Sequence, residues 1–209
     1  MARLSPSDRR DAIVAAALAV ARVKGLAATT VRDVAMEMGT SSGLIHHYFE
    51  SMDDVLAAAF TRAAETDLER SVTEMAAADG PRAALAAFFR TYTPADSDWA
   101  FQLWLDAWAE AGRRPALREV SGRLNLAWAA MLERAIRDGV RDGVFRSDDP
   151  VGAAWRILSL VDGLALQVVA HQTIVDRADM LAWAAKATER ELGLSPGTLA
   201  VNGATPPRA

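Results

Sequence analysis

The chain has 209 residues, 51% of them hydrophobic, with 23 Lys/Arg against 27 Asp/Glu and a net charge of −4. That length suits one or two domains with a sizeable core. The lack of cysteine excludes disulfides and thiolate chemistry.

Alanine is frequent and alternating β-branched runs are absent, so the expected fold class is all-α, with about nine helices. With no apolar run of ~18 residues and no leader pattern, neither a membrane span nor a signal peptide is expected, and the cytoplasm is the default compartment. A polar arm over 2–6, carrying Arg3, precedes a helix from Ser7 to Lys24, closed by Gly25. Its stripe of Ile13, Ala16, Ala17 and Val20 should join Leu26, Val34, Leu44 and Phe49 in a small core. Thr30 is a good N-cap with Asp33 in capping-box position, and Val31, Val34, Ala35 and Met38 follow at helical spacing. Gly39 is placed to end this helix in a left-handed turn. Ser41 or Ser42 can start the next helix, and Ser51 with Asp54 forms a second capping box for a helix from Met52 to Met75.

Two short helices joined by a three- to four-residue turn make a helix-turn-helix, whose second helix enters the DNA major groove. Residues 1–50 hold six Lys/Arg and five Asp/Glu, leaving −5 for the rest. A weakly basic head on an acidic body allows DNA contact at one end, with few phosphate contacts per subunit and so a need for dimerisation.

Further on, Asp79-Gly80-Pro81 and Gly112-Arg-Arg-Pro115 break the chain, with Pro81 and Pro115 at helix starts. A turn at Thr93-Pro94-Ala-Asp-Ser precedes a helix over 98–111. The helix over 115–139 carries Leu117, Val120, Leu124, Trp128 and Met131 on one stripe. From Asp149-Pro150 a helix runs apolar on almost every face between Trp155 and Ala170, which asks for burial all round. A last helix over 176–192 includes Met180, Leu181 and Trp183, and 194–209 reads as a flexible tail. The expected division is a DNA-binding domain over 1–50, a ligand-binding and dimerisation domain over 51–193, and that tail. The strip Leu158, Val161, Leu164, Ala165 and Val168, with Trp183, is the expected dimer interface.

The run Gly39-Thr-Ser-Ser-Gly43-Leu-Ile-His-His-Tyr-Phe49, with its polar link and Leu56 beyond, resembles the recognition helix of the tetracycline-repressor (TetR) family, closest to the choline-responsive BetI-like subgroup. The resemblance is strong over about the first 60 residues and holds in outline beyond. It implies three head helices and six body helices, with the last two pairing as a four-helix bundle in a homodimer. It also implies a ligand-released repressor on a pseudopalindromic double-stranded DNA operator.

Candidate DNA-binding residues are Thr30, Arg32, Ser41, Ser42, Leu44, His46, His47 and Tyr48. Serines bond phosphate or base edges, and Leu44 fits a thymine methyl. His46 stands where the family has tyrosine, and His47 where it varies. Adjacent histidines point about 100° apart on a helix, so no metal site is expected. Met52 departs from the family's phosphate-binding lysine.

Phe101, Trp104, Trp108, Trp128 and Trp155 are either core or the walls of an effector pocket. A cation cage needs aromatic faces and an acid. Asp106 and Glu110 turn away from Trp104 and Trp108 and align with Trp99 and Leu103. Asp162, the one acid within the apolar run, is therefore the candidate, since a buried carboxylate there needs a partner; the alternative is that it satisfies a backbone or arginine group at the dimer interface. His171 reads as a surface or interface histidine. No phosphate loop or Ser/His/Asp set appears, so no enzyme activity and no cofactor are expected. The rival reading is a helical ligand-binding or scaffolding dimer with a weakened DNA head.

Overall fold

The computed structural model describes residues 5–93, 98–171 and 174–199. Among them it contains nine α-helices and no strand: α1 Pro6–Lys24, α2 Val31–Glu37, α3 Ser42–Tyr48, α4 Met52–Ala76, α5 Gly80–Arg90, α6 Asp98–Ala111, α7 Pro115–Arg141, α8 Pro150–Leu166 and α9 Arg177–Glu191. The chain groups into two compact units. The first comprises residues up to Thr66 with Trp99–Leu124, and the second Asp67–Asp98 with the chain from Asn125 on. Arg3 and the turn residues 94–97 lie outside the described residues.

Local chemistry sets the helix starts. Ser5 with Asp8 and Thr30 with Asp33 form complete capping boxes. The Ser51 hydroxyl accepts from the Asp54 amide while the Asp54 carboxylate accepts from the Ser51 amide. Each such cap contributes about 1 kcal/mol. Gly39, at φ +61°, ends α2; the Thr40 amide reaches back to the Ala35 carbonyl, the six-to-one bond of a left-handed helix end.

The head core consists of Ile13, Val14, Ala16, Ala17, Val34, Ala35, Ile45, Phe49, Val55 and Ala59. Val20 and Leu44, expected inside, are only half-buried. On α3 it is Ile45 that points inward, which turns its neighbours outward. Support from α4 is direct: Val55 and Ala59 complete the core, and the Arg62 guanidinium donates to the Asp11 carbonyl of α1 at 3.1 Å.

In the second unit α8 packs against α9. Leu158, Val161 and Ala165 are buried within the single chain, Val161 at 1% exposure, so this strip is core and not the expected dimer interface. The period of an apolar face identifies its inward side but not what covers it. The outward face of α8 carries Ser159 and Gly163, with Trp155 a turn earlier, and on α9 Trp183 is 43% exposed. A π-helical turn, Gln167–His171, follows α8 and holds Val168 half-buried. The continuous stretch Pro150–His171 is long and apolar enough, by length and composition, to cross a membrane, contrary to expectation. The core helix of a water-soluble fold passes the same test.

The stretch expected to be flexible from 194 on is held in place as far as 199. Leu199 is fully buried, and the buried Glu189 carboxylate accepts from the Gly197 amide at 3.1 Å and the Leu199 amide at 2.8 Å. Residues 200–209 lie outside the described residues.

Candidate functional site

In the head, α3 lies with Ile45 and Phe49 in the core, so Ser41, His46 and His47 are exposed together. Arg32 stands exposed on the first turn of α2. Ser41 is the N-cap residue of α3 but its hydroxyl makes no cap bond, which leaves it available to a phosphate or base edge. Ser42 and Leu44 are half-buried. The Thr30 hydroxyl, in contrast, is committed to its cap: it donates to Asp33 at 2.8 Å and accepts from the Asp33 amide at 3.2 Å. The Lys24 ammonium at 2.5 Å from Asp33, with the Thr30 bonds, holds that carboxyl down at about 2.

Tyr48 packs its ring on the head core and edge-on to His47, with centroids 5.0 Å apart. Arg10 was not singled out by its sequence position. Its guanidinium donates to the Tyr48 carbonyl at 2.7 Å and lies 3.9 Å from the centre of the Phe49 ring. It thereby pins the last turn of the recognition helix to α1. Met52 also packs against the head core.

The six candidate ligand residues divide between the units. Phe101, Trp104 and Trp108 form an aromatic chain in the first. Trp104 meets Trp108 at 5.5 Å and the buried Phe60 edge at 4.9 Å, and Phe101 meets Trp108 at 6.1 Å. Trp128, Trp155 and Asp162 belong to the second unit. Trp155 is half-buried, without an aromatic contact among the described residues.

Asp162 and Asp67 both lie close enough to Tyr92 to act on its phenol, a grouping that the sequence did not reveal. Burial alone pushes the Asp162 carboxyl up to about 7, and no hydrogen bond or ion pair reaches it among the described residues. Asp67 on α4 is also raised, because burial outweighs its bond to Arg70 at 2.9 Å. The Tyr92 phenol is held well above its ordinary range by burial and by the Asp162 and Asp67 carboxylates. Ser71, one turn along α4 from Asp67, has a buried hydroxyl, and Trp128 a buried indole N–H, neither with a partner among the described residues. Phe88 touches both aromatics, Tyr92 at 5.5 Å and Trp128 at 6.4 Å. Buried polar groups without partners cost about 1–3 kcal/mol each. Asp67 and Tyr92 lie far from Asp162 in sequence, and only the tertiary fold joins them.

A cavity of about 690 Å³ in the same unit is lined by α4, α5 and α7 residues such as Leu68, Val72, Met131 and Arg134. None of the six ligand candidates lines it.

A helix-turn-helix head with an exposed recognition face, followed by a helical unit that buries acidic and aromatic side chains, is the arrangement of a ligand-responsive DNA-binding regulator. Residues 13–59 match the family model of bacterial regulatory proteins of the tetR family, and residues 81–193 match that of the C-terminal domain of BetI-type transcriptional repressors. The chain belongs to the TetR family and has a BetI-type C-terminal domain. It is 31% identical over 161 residues to the HTH-type transcriptional regulator BetI of Rhizobium meliloti, covering 76% of this chain and 77% of that protein. Over 158 residues it is 32% identical to the HTH-type transcriptional repressor KstR2 of Rhodococcus jostii, covering 73% and 75%. Its fold matches a Saccharomonospora viridis protein crystallised in complex with choline, with a TM-score of 0.80, 27% identity, and coverage of 89% of this chain and 98% of that one.

Proposed function

We propose that the protein is a cytoplasmic, non-enzymatic repressor that binds a pseudopalindromic operator as a homodimer and is released by a small organic cation. The observation that carries the DNA half is the exposed row Arg32, Ser41, His46 and His47 on a head whose opposite side is core. In this reading α3 lies in the major groove, Arg32 and Ser41 fix its register, and His47 with Leu44 reads base edges. Thr30 acts through the cap of α2, not by touching DNA.

For the effector, a cation meets Asp162 and Asp67, while the faces of Tyr92 and Trp128 supply cation–π attraction of roughly 0.5–2 kcal/mol. An oxygen on the same molecule satisfies the Trp128 N–H. The choline bound by the Saccharomonospora viridis protein is such a molecule, which supports this reading. Dimerisation is assigned to the outward face of α8 around Gly163 and to Trp183 of α9.

The test is fluorescence anisotropy on an operator duplex recovered by selection from random DNA. Arg32→Ala and His47→Ala are expected to cost about 1–3 kcal/mol each on the selected site and little on random DNA. Met52→Lys is expected to strengthen binding to all sequences and steepen the salt slope by about one unit. Unchanged specific binding in the first two variants would contradict the placement of α3.

A further inference from the structure

The acidic stripe of α6 faces away from the tryptophans, and its destination is the DNA-binding head. Trp99, Asp106 and Glu110 recur on one side of the helix, and within the first compact unit each meets a different part of the head. The Arg22 guanidinium of α1 lies 4.2 Å from the centre of the Trp99 ring. Arg114 bonds Glu110 at 2.9 Å and also Asp53, in the first turn of α4 just beyond the recognition helix. Between these two, the Leu26 amide donates to Asp106 Oδ2 at 2.8 Å, and Gln102 Nε2 donates to the other oxygen at 3.2 Å.

The segment that Asp106 holds is the turn that delivers α2. Gly25 closes α1 by donating to the Ala21 carbonyl at 2.8 Å, its own carbonyl accepts the Thr29 hydroxyl at 2.8 Å, and the Thr29 amide reaches the Leu26 carbonyl at 3.3 Å. Leu26 is fully buried, so without Asp106 its N–H would be a buried donor with no partner. Gly25 is at φ +82°, where any side chain is strained, and a Cβ there would stand 2.9 Å from Asp106 Oδ2, so the carboxylate would have to shift. Four residues after Leu26 comes Thr30, which caps α2. Two residues on either side of Asp106, Trp104 and Trp108 form the opposite, aromatic face of the same helix, with Trp104 against Phe60 of α4. A helix gripped on both sides moves both when it shifts.

We propose that Asp106 is the positioning residue through which α6 sets the helix-turn-helix: its bond to the Leu26 amide transmits displacement of α6 to α2, and so to the recognition helix. The proposal rests on the reading that a small cation releases the protein from DNA, and it adds the contact that carries the signal.

The experiment uses the full-length protein, the selected operator duplex and choline chloride as probe. In the wild type, saturating choline is expected to weaken operator binding by the order of tenfold or more. Asp106→Ala should bind choline within about twofold of wild type by tryptophan fluorescence, yet its operator affinity should change by less than about twofold on adding choline. Asp106→Asn keeps an oxygen for the Leu26 amide and should retain most of the coupling. Asp106→Ala with wild-type coupling, or Asp106→Asn as uncoupled as Asp106→Ala, would overturn the proposal. If choline fails to bind even the wild type, the cation reading fails and the relay is judged from the DNA side. Operator binding must then slow hydrogen exchange at the Leu26 amide and alter tryptophan fluorescence in the wild type, because coupling is reciprocal. An Asp106→Ala protein that keeps the fluorescence response would overturn the proposal on that arm.

Discussion

Replacing Asp162 with Asn is expected to raise the thermal midpoint at pH 8 and to leave it nearly unchanged at pH 4. The folded carboxyl titrates at about 7, raised by burial from 3.8. Between those values the native state holds more protons than the unfolded chain, so this group's contribution to stability falls as pH rises from about 4 to about 7. The shift has a ceiling of roughly 4 kcal/mol; partial solvent access reduces the expected gain in the Asn protein to about 2 kcal/mol. Cation binding should have the opposite pH dependence. A cation needs the ionised carboxylate, so choline affinity should climb up to about tenfold per unit below pH 7 and level off above it. Asp162→Asn should lose both the affinity and the pH dependence. Equal binding of choline and its uncharged carbon isostere 3,3-dimethylbutan-1-ol, unchanged in Asp162→Asn, would contradict the cation assignment.

Gly163→Arg is expected to convert a dimer into folded monomers. Gly163 is exposed on α8, and a Cβ at that position would meet nothing within 4 Å, so the single subunit tolerates a side chain there. A second copy packed on the same face would not. Analytical ultracentrifugation should give the mass of one 22.4 kDa chain for the variant and twice that for the wild type, with unchanged helical circular dichroism. Operator affinity should drop on the order of a hundredfold, because the second half-site loses its tethered head. Val161→Arg is the contrasting variant: at 1% exposure, it should unfold the subunit by burying an unpaired charge. A Gly163→Arg protein that stays dimeric would move the interface elsewhere.

The head was legible because its signals are local. Thr30 with Asp33 and Ser51 with Asp54 lie three residues apart, and both pairs bond as their spacing implies. The faces of α6 were legible for the same reason, since a fixed 100° step places Asp106 opposite Trp104 without tertiary knowledge. What Asp106 touches was not legible, because Leu26 lies eighty residues away. Leu158, Val161 and Ala165 were assigned to a partner although the subunit covers them itself; an apolar stripe looks alike in either case. The grouping of Asp67, Tyr92 and Asp162 was half-legible for a related reason. Asp162 stands out within an apolar run, whereas Asp67 on α4 reads as an ordinary polar position of an amphipathic helix.

The most direct measurement passes a pool of random duplex DNA over the full-length protein, sequences what is retained, and titrates the retained DNA with choline chloride. The account predicts enrichment of an inverted repeat whose half-sites are spaced for two recognition helices on one face of the duplex, with release as choline is added. Retention without any shared sequence, or an enriched site that choline leaves fully bound above pH 7, would contradict it.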